Sequence, residues 1–418
     1  MSQSAELNLN SSAATGLNLT SSTFKANPYP IFAQLRAADP IHRYVSSNDG
    51  QQTWLVTRYI EAEAILRDER FVKSRQHVFP SNNQTPVPEI EGSADDLFGL
   101  GLLALDPPDH TRLRSLISQS FTPRMVEQWR PRIQAITDAL LDAVVDKGSM
   151  DLIKEFAFPI PMRVISEILG LRMEDSARLH AWIKTIADAL DDPAAFQEAL
   201  PQLQATYVFL CDLLEEKRQN LTDDLVCKLI LAEDAGDRLS QRELVSIVFV
   251  LILTGYETTA NLIGNGVLAL LTNPDQLALL KANPDPALFK SAVEECLRYH
   301  SPVAVTTFRW ATTDMELGGR QIRQGDGVVI SLNSANRDEQ EFAGAETLDI
   351  TRRENAHLAF GKGIHYCLGA PLARLEGQIA IATLLRRLPG LHLEVDPSTL
   401  SWRPGSTVNG LDSLPVAF

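Results

Sequence analysis

The sequence predicts a mainly α-helical protein with a minor β region, built as one large domain. Two features of the chain indicate this class. Apolar residues recur at helical spacing along most of the chain from Pro108 to about residue 300, whereas strand-like and turn-like segments lie around Trp54 and beyond Pro302. No internal repeat and no linker divides the chain. We therefore expect a single domain over residues 25–418, preceded by a disordered tail over residues 1–24 that is rich in Ser, Asn, Ala and Thr.

The composition is typical of a globular protein: the chain has 418 residues, of which 44% are hydrophobic and 22% are charged. Its formal net charge of −15 disfavours non-specific nucleic-acid binding, which requires a basic surface. The longest unbroken apolar run, residues 247–253, is shorter than the roughly 18 residues that a membrane span needs. The first positive side chain is Lys25, so no secretory signal is predicted. We therefore expect a cytoplasmic monomer with no membrane anchor and no nucleic-acid partner.

The N-terminal part predicts short elements followed by a long loop. Asn27-Pro28 opens a short helix, and the apolar residues 54–56 predict a strand. Residues 68–105 contain several prolines and glycines and predict no clear element. A loop of this length in a compact domain is commonly a lid or a binding loop.

The clearest helix is predicted over residues 241–272. Ser240 and Glu243 form a capping-box pattern at its start, and Asn273-Pro274 ends it. Its roughly 32 residues span about 48 Å, which is enough to cross a domain. The first half is apolar nearly all round, so the helix is expected to be central and buried.

The pattern changes beyond Pro302. Gly318-Gly319 predicts a turn, and residues 327–331 predict a strand. A final helix is expected to begin after Gly369.

Four cysteines occur and none forms a C-x-x-C pair, which indicates a reducing compartment. Cys211, Cys227 and Cys296 lie in helical surroundings and are expected to be core residues. Cys367 differs because glycines surround it and a helix follows it directly. The positive end of that helix and its free N–H groups favour thiolate over thiol, so we expect a lowered pKa for Cys367.

The loop around Cys367 reads F-G-K-G-I-H-Y-C-L-G-A-P over residues 360–371. Gly361 and Gly363 permit a tight turn whose N–H groups approach the sulfur, and Gly369 lets a flat ligand lie close to the backbone. A zinc site is disfavoured because no second thiol lies nearby. A cysteine nucleophile with His365 as its base stays open as an alternative, although residues two apart do not readily face each other at the start of a helix.

This loop resembles the haem-binding signature of cytochromes P450, F-G-x-G-x-H-x-C-x-G, and residues 360–369 match it without a gap. The resemblance implies that Cys367 is the thiolate ligand of the iron of haem b. It also implies the cytochrome P450 fold, in which the haem lies between the long central helix and the helix that follows the cysteine loop. The haem-binding residues of the loop are then Phe360, Gly361, Gly363, His365, Cys367 and Gly369.

Residues 254–259, T-G-Y-E-T-T, resemble the oxygen-activating motif of the family, small-G-x-[DE]-T-T. The resemblance implies that Glu257 and Thr258 are the acid and the alcohol that relay protons, which a buried apolar site imports only through polar groups and water. Thr254 stands where the family usually has Ala or Gly, and it is expected to narrow the pocket or to add a hydroxyl near the haem. Gly255 is expected to leave the helix slightly open and to make room for oxygen and water. The alternative is a polar kink in which the Thr hydroxyls bond to carbonyls of the preceding turn.

Glu295 and Arg298 match the E-x-x-R motif of the family. The resemblance implies a structural ion pair, since residues three apart share a helix face. The arginine that is the usual third partner is replaced by Thr347. Arg352 and Arg353 are both candidates to replace it.

Haem carries two propionates, which require cations or hydrogen-bond donors in a buried site. The residues that match the family's positions for this task are His110, Arg114, Arg309 and His365. His110 and Arg114 are four apart and therefore share one helix face.

By the same resemblance, the substrate pocket lies across the haem from Cys367. Its expected lining comes from the 80–105 loop, the 165–210 region and a mainly apolar set of residues: Val250, Leu253, Thr254, Val303, Val305, Thr307 and Val408. Plain core packing is the alternative for each of them. The expected substrate is an apolar small molecule such as a terpenoid, a polyketide or a fatty-acid-like compound.

A separate ferredoxin and ferredoxin reductase are expected to supply electrons, because no flavin or nicotinamide domain is recognised beside the motifs. Arg112, Lys362 and Arg374 flank the cysteine loop and predict a basic docking patch. Solvated charges without a partner are the alternative.

The resemblance thus implies a haem-thiolate monooxygenase that hydroxylates or epoxidises an apolar molecule with O2. Two alternatives stay open: a haem-thiolate enzyme that uses peroxide or rearranges its substrate, and a non-enzymatic haem sensor or carrier. The acid–alcohol pair Glu257–Thr258 disfavours the first, and the lack of a recognised output domain disfavours the second.

Overall fold

The computed structural model describes residues 17–45, 52–79, 93–119, 121–234, 239–283 and 285–418. Within these ranges the α-helices are α1 Ser22–Ala26, α2 Tyr29–Ala38, α3 Tyr59–Arg67, α4 Asp109–Ser118, α5 Pro123–Gln128, α6 Arg130–Asp142, α7 Pro159–Leu169, α8 Met173–Ala189, α9 Pro193–Glu198, α10 Leu200–Gln219, α11 Leu225–Asp234, α12 Gln241–Gly255, α13 Glu257–Thr272, α14 Pro274–Ala282, α15 Pro286–Tyr299, α16 Leu332–Ala335 and α17 Ala370–Arg387. The strands are β1 Ile41–Val45, β2 Gln52–Val56, β3 Phe71–Val72, β4 Ser149–Asp151, β5 Arg309–Ala311, β6 Met315–Leu317, β7 Arg320–Ile322, β8 Gly327–Ile330, β9 His392–Leu393 and β10 Pro415–Ala417. Helices dominate, so the predicted mainly α class with a minor β region is confirmed.

The largest sheet has the strand order β1-β2-β8-β5-β3. Strands β2 and β8 run parallel, with Thr53 opposite Gly327, and the other pairs are antiparallel. This sheet joins residues that are far apart in the sequence, because β2 precedes the helical region and β8 follows it. The small hairpin β6–β7 turns at Gly318 and Gly319, whose φ angles are +52° and +76°, as the glycine pair predicts.

The predicted central helix consists of two consecutive helices, α12 and α13. Ser240 and Glu243 form the predicted capping box, and Asn273 ends the second helix. Tyr256, with φ −107° and ψ −44°, separates the two helices. By length and composition this 32-residue stretch could cross a membrane, but 72% of its apolar window is buried inside the protein. It therefore resembles the core helix of a globular protein.

The core packs α17, the helix that follows the cysteine loop, against the central helix. Helix α13 packs against α15 and α17, and α12 packs against α7 and α10. Helix α17 begins directly after the cysteine loop, as predicted. The expected burial of three cysteines also holds, since Cys227 and Cys296 are buried and Cys211 is half-buried against the main core cluster.

The structure corrects two predictions near the N-terminus. Residues 17–24 are not a tail: Leu19 is 6% exposed and α1 begins at Ser22, while residues 1–16 lie outside the described residues. The stretch 68–105 contains β3, a 3-10 turn at Arg75–His77 and a π-helical turn at Asp95–Gly99. Tertiary packing stabilises these short elements, and packing is not visible in local sequence patterns.

Candidate active site

The loop that carries Cys367 is shaped by its glycines. Gly361 and Gly363 have φ angles of +69° and +70°, a left-handed conformation that favours glycine. The amide of Cys367 donates to the carbonyl of Phe360 at 2.9 Å and closes the loop. A Cβ at Gly363 would lie 2.3 Å from the carbonyl oxygen of Leu66, so the contact with α3 also requires glycine.

The thiol of Cys367 is held at the start of α17. Its side chain is partly accessible, and the N–H groups of Gly369 and Ala370 hydrogen-bond to its sulfur. Burial nevertheless raises the pKa of Cys367 and outweighs these N–H groups and the charges of Arg114 and Arg374, which lower it. The expected lowering is therefore wrong for the free thiol, because the helix-terminal donors offset only part of the cost of burying an anion. A coordinated metal ion removes this cost, since a coordinating thiol is deprotonated.

The backbone beside the sulfur leaves an open face. A Cβ built on Gly369 meets one described atom within 4 Å outside the neighbouring residues, the sulfur of Cys367 at 4.0 Å. The φ angle of Gly369 is −79°, which any residue adopts. Glycine at this position therefore leaves space beside the sulfur of Cys367. The backbone conformation itself does not require glycine.

The four predicted haem anchors come together from separate parts of the chain. The rings of His110 on α4 and His365 in the cysteine loop lie 4.3 Å apart, centroid to centroid. Arg114, one turn after His110, donates from Nη2 to the carbonyl of Tyr366 at 2.7 Å. Burial and four basic neighbours lower the pKa of His365 to about 3, these neighbours being His110, Lys73, Arg309 and Arg114.

Lys73 is a fifth basic residue of this cluster that the sequence analysis missed. Its Nζ donates to Thr307 Oγ1 at 2.6 Å and to the carbonyls of Thr307 and Phe308 at 3.2 and 3.1 Å. Burial and the charge of Arg309 lower its pKa well below the ordinary value. Lys73 follows β3 directly, inside the stretch for which the sequence predicted no element, so no local signal connected it to Arg309.

The cluster carries more positive than negative charge. Asp106 is the acidic group that acts on His110, Lys73 and Arg309. Its oxygens already accept hydrogen bonds from the amides of Lys73 and Ser74 at 2.8 Å each. Burial lowers the pKa of Arg309 to about 10, although Asp106 raises it. The basic groups therefore provide a site for additional anions.

Two buried nitrogens of the cluster have no hydrogen-bond partner among the described residues: Nε2 of His110, which is 2% exposed, and Nε of Arg309, which is 4% exposed. Leaving a buried polar group without a partner costs about 1–3 kcal/mol. Two carboxylates would satisfy both the unpaired nitrogens and the excess charge. The cluster and the open face beside Cys367 therefore fit a haem group with its two propionates.

One face of the central helix is accessible at the predicted motif. Val250, Leu253, Thr254 and Thr258 are half-buried, whereas most residues around them on α12 and α13 are buried. Their spacing of three or four residues places them on one helix face. Thr254 donates to the carbonyl of Val250 at 2.7 Å, and Thr258 donates to that of Thr254 at 2.9 Å. Both hydroxyls thus bond to the preceding turn, and each oxygen keeps lone pairs that can accept a hydrogen bond.

Glu257 follows the helix break and is 7% exposed. Its Oε1 lies 2.5 Å from Nη1 of Arg403, and Nη2 of Arg403 donates to Asp188 Oδ1 at 2.9 Å. Burial raises the pKa of Glu257, although the charge of Arg403 lowers it. Glu257 and Thr258 are therefore adjacent at the start of α13, and the acid is paired with a residue that the sequence analysis missed.

Gly255 has a different role from the expected one. A Cβ there would lie 3.1 Å from Cγ1 of Ile165, so glycine allows α7 to pack closely against α12. The helix is interrupted at Tyr256, one residue after Gly255, but the space beside Gly255 is filled by Ile165. The expectation that Gly255 itself makes room for oxygen and water is therefore wrong.

The two predicted lining segments near the C-terminus lie side by side. Val303 and Val408 form a β-bridge, and the amide of Ala304 donates to the carbonyl of Thr407 at 2.7 Å. Val303 and Val408 are half-buried. Val305 is 4% exposed and packs in the core cluster of Leu55 and Val329.

The other residues predicted to line the substrate pocket lie in different environments. Thr307 is exposed and accepts the hydrogen bond from Lys73. Of the 80–105 loop, residues 80–92 lie outside the described residues. The described part packs against α12, where the rings of Phe98 and Phe249 lie 5.0 Å apart.

Glu295 and Arg298 form a bidentate ion pair with distances of 2.9 and 2.7 Å, and both side chains are 0% exposed. Arg352 supplies the third member, with its Nε 3.2 Å from Glu295 Oε2. Arg353 is exposed. Thr347 contributes its carbonyl, which accepts from Nη2 of Arg298 at 3.0 Å.

The three cations of the predicted docking patch all form ion pairs within the chain. Arg112 pairs with Glu243, Lys362 with Glu63 at 3.1 Å, and Arg374 with Glu294 at 2.7 Å. Their side chains remain 39%, 31% and 28% exposed. Ile364 and Tyr366 of the cysteine loop are also exposed. This surface is therefore less basic than the sequence predicts and more apolar.

Comparison with known proteins identifies the family. The sequence model of the family "Cytochrome P450" matches residues 69–399. The chain belongs to the cytochrome P450 family. Its predicted fold and the predicted haem-thiolate monooxygenase class are thereby confirmed.

Similar P450s cover nearly the whole chain. "Polyketide biosynthesis cytochrome P450 PksS" of Bacillus subtilis (strain 168) is 40% identical over 94% of this chain and 96% of its own length. "Cytochrome P450 monooxygenase PikC" of Streptomyces venezuelae is 42% identical over 94% of this chain and 92% of its own. Among solved structures, myxobacterial cytochrome P450 CYP267B1 in complex with myristic acid has a TM-score of 0.88, with 39% identity over 96% of this chain and 98% of its own.

Proposed function

We propose that this P450 inserts one atom of O2 into a C–H or C=C bond of a polyketide or fatty-acid-like molecule. The observation that carries the proposal is the accessible stripe Val250, Leu253, Thr254 and Thr258, which places apolar side chains beside the polar relay on one helix face. An apolar wall with a few polar groups is typical of a pocket for an apolar ligand. The relatives support this substrate class, since one is named for polyketide biosynthesis and another holds myristic acid.

Haem b is the proposed cofactor, with Cys367 as its thiolate ligand. When bound, haem iron supplies the oxygen-activation chemistry. Phe360, Gly361, Gly363 and Gly369 shape the loop against which the macrocycle lies. The propionates are proposed to bind His110, Arg114, Arg309 and His365, together with Lys73. Burial lowers the pKa of Lys73 and of Arg309, and the charge of Asp106 offsets this only in part.

Glu257 and Thr258 are proposed to handle protons. Burial raises the pKa of Glu257, which favours the protonated form that an acid must donate from. The Thr258 hydroxyl donates to the carbonyl of Thr254, so its oxygen is left to accept a hydrogen bond from water. In this arrangement Glu257 holds the proton and Thr258 orients the water that receives it. An intact pair of this kind favours O2 over peroxide as the oxidant.

A ferredoxin and its reductase are the proposed electron donors. The proposed docking surface consists of Lys362, Ile364 and Tyr366 of the cysteine loop together with Arg112 on α4 and Arg374 on α17, all with exposed or partly exposed side chains. The apolar pair provides contact area, and the cations favour an acidic partner.

We further propose a cytoplasmic monomer of one domain that acts in secondary metabolism. The four free cysteines agree with a reducing compartment.

Ligand titration followed by product analysis tests this proposal. Fatty acids from about ten to eighteen carbons and macrolactones are titrated into the haem-loaded enzyme, and the Soret shift ranks their affinities. The best ligand is then incubated with NADPH, ferredoxin reductase and ferredoxin under 18O2. The proposal predicts a product that contains one 18O atom and requires both electron-transfer proteins. Turnover that needs only peroxide, or haem binding without oxidation of any compound, would contradict it.

A further inference from the structure

Lys25 is a buried lysine with an unusual set of acceptors. It lies on α1, its side chain is 5% exposed, and lysines are rarely buried to this degree. Its Nζ donates to the carbonyls of Arg403, Gly405 and Val408 at 2.5, 3.0 and 2.5 Å. An ammonium group has three donors, so all of them bind one short segment of the chain. We call residues 403–408 the C-terminal turn.

The C-terminal turn carries two groups of the proposed active site. Arg403 pairs with Glu257 at 2.5 Å and with Asp188 at the end of α8 at 2.9 Å. Val408 forms the bridge to Val303 in the proposed pocket wall. A displacement of the turn therefore moves both the partner of the acid and part of the pocket wall.

The other side of the turn is attached to the segment that follows α8. The amide and hydroxyl of Ser406 donate to Asp191 at 2.6 and 3.0 Å. Gly405 has a φ angle of +101°, which permits the sharp bend between the carbonyls that face Lys25. Lys25 and Asp191 thus both hold the turn, Lys25 through three carbonyls and Asp191 through Ser406.

Lys25 keeps its charge at neutral pH. Burial lowers its pKa to about 8, and the positive charge of Arg403 also lowers it, whereas the carboxylates of Asp191, Glu257 and Asp412 raise it. The protonated form supplies all three donors. Replacing it with an apolar side chain leaves three carbonyls without these partners, at a cost of about 1–3 kcal/mol for each that stays buried.

We propose that Lys25 is a positioning residue for Glu257: it holds the C-terminal turn, and the turn holds the guanidinium of Arg403 against the carboxylate of Glu257. This inference rests on the proposed role of Glu257 as the acid. When the turn is loosened, the buried carboxylate loses part of its cationic partner and retains its proton more tightly. Lys25 thus acts on proton delivery through the C-terminal turn.

The test is a pH titration of Glu257 by infrared spectroscopy in the haem-loaded enzyme, which needs no substrate. The carboxylic acid C=O band of Glu257 is assigned by its loss in Glu257→Gln and followed from about pH 5 to pH 9. We expect Lys25→Met to raise the pKa of Glu257 by about half a unit or more. Lys154→Met, which removes a 70% exposed lysine, is the matched control and is expected to leave the pKa of Glu257 unchanged.

A double-mutant cycle separates positioning from the direct effect of the Lys25 charge. The shift caused by Lys25→Met is measured again in an Arg403→Gln background. If Lys25 acts through Arg403, the pKa shift of Glu257 that Lys25→Met causes falls in that background to less than about half of its size in the parent enzyme. The reason is that the guanidinium that Lys25 positions is absent. A shift of the same size in both backgrounds would be a direct charge effect and would overturn the proposal. The groups that face Glu257 in this titration are Arg403, Asp188, Lys184, Lys25 and Tyr256.

The outcomes also separate this inference from the proposed function. If the C=O band is present but Lys25→Met leaves its titration unchanged, the inference fails and the role of Glu257 stands. If no band disappears in Glu257→Gln, the acid takes up no proton and both fail. Should Lys25→Met not fold, Lys25→Gln removes the charge, keeps two amide donors and serves in the same cycle.

Discussion

Arg352 completes a buried charge cluster with Glu295, because its Nε lies 3.2 Å from Glu295 Oε2 and its side chain is only 9% exposed. Glu295 is 0% exposed and also accepts from Arg298 and from the amide of Asp349 at 2.9 Å. Arg352 in addition donates to the carbonyl of Ala343 at 2.7 Å. It thereby joins α15 to the irregular segment that precedes the cysteine loop.

Replacing Arg352 is expected to destabilise the fold. Arg352→Met leaves the buried Glu295 with less positive charge, and we expect a loss of about 3 kcal/mol in the free energy of unfolding. Arg353→Met is the matched control. Its free energy of unfolding is expected to change by less than about 0.5 kcal/mol, because Arg353 is exposed. Urea unfolding of both variants measures the difference. Equal stabilities would mean that Arg352 does not support Glu295.

The hydroxyl of Thr258 is expected to determine how efficiently electrons are used. Thr258→Ala removes the hydroxyl that is proposed to orient water beside Glu257, so product per NADPH should fall about tenfold while peroxide release rises. Thr258→Ser keeps the hydroxyl and should remain within about threefold of the parent enzyme. The ratio is measured with the ligand selected by Soret titration. An unchanged ratio in Thr258→Ala would contradict the relay.

The positive cluster is expected to retain the haem. Arg309 is 4% exposed and its Nε has no partner among the described residues, so Arg309→Met would remove the proposed charge-assisted bond to a propionate. Haem transfer to excess apomyoglobin should become about tenfold faster, which corresponds to a free-energy barrier to haem release that is lower by about 1.4 kcal/mol. Arg323→Met, at a 69% exposed side chain, should leave the rate unchanged. An unaltered rate in Arg309→Met would place the propionates elsewhere.

Glu294 is expected to make stability dependent on pH in acid. Burial raises its pKa, but hydrogen bonds from His357 and Arg374 outweigh burial and lower the pKa from 4.5 to about 2. A lowered carboxyl pKa stabilises the fold above the unfolded value near 4.5, and this contribution is lost as the pH falls toward 2.

The matching measurement compares urea unfolding at two pH values. Between about pH 6 and pH 3, the free energy of unfolding of the parent enzyme should fall by about 2 kcal/mol more than that of Glu294→Gln, which cannot titrate at this position. Parallel losses in the two proteins would show that Glu294 is not stabilised as an anion.

Local patterns predicted the elements that depend on nearby residues. The capping box of Ser240 and Glu243 and the turn glycines Gly361 and Gly363 lie where the sequence placed them, because caps and left-handed turns are determined by neighbours in the chain. A slight opening of the central helix at Gly255 was expected, whereas the break at Tyr256 and the packing around it were not. Ile165 of α7 fills the space beside Gly255, and that contact joins segments 90 residues apart.

Long-range electrostatics were less predictable. Nothing near Glu257 in the sequence indicates Arg403, and nothing near Arg309 indicates Lys73, since each pair meets only after folding. The same limit applies to the pKa of Cys367: the helix that lowers it is visible in the sequence, whereas the burial that raises it is a property of the packed protein.

Coordination of a haem iron by Cys367 is tested most directly by the spectrum of the reduced protein under carbon monoxide. With full haem loading, the Soret band should lie at about 450 nm, the position that thiolate ligation gives. Cys367→Ser should lose this band, while Cys296→Ser, at a buried cysteine on α15, should keep it. A band that is absent from the fully loaded parent protein, or unchanged in Cys367→Ser, would contradict the account.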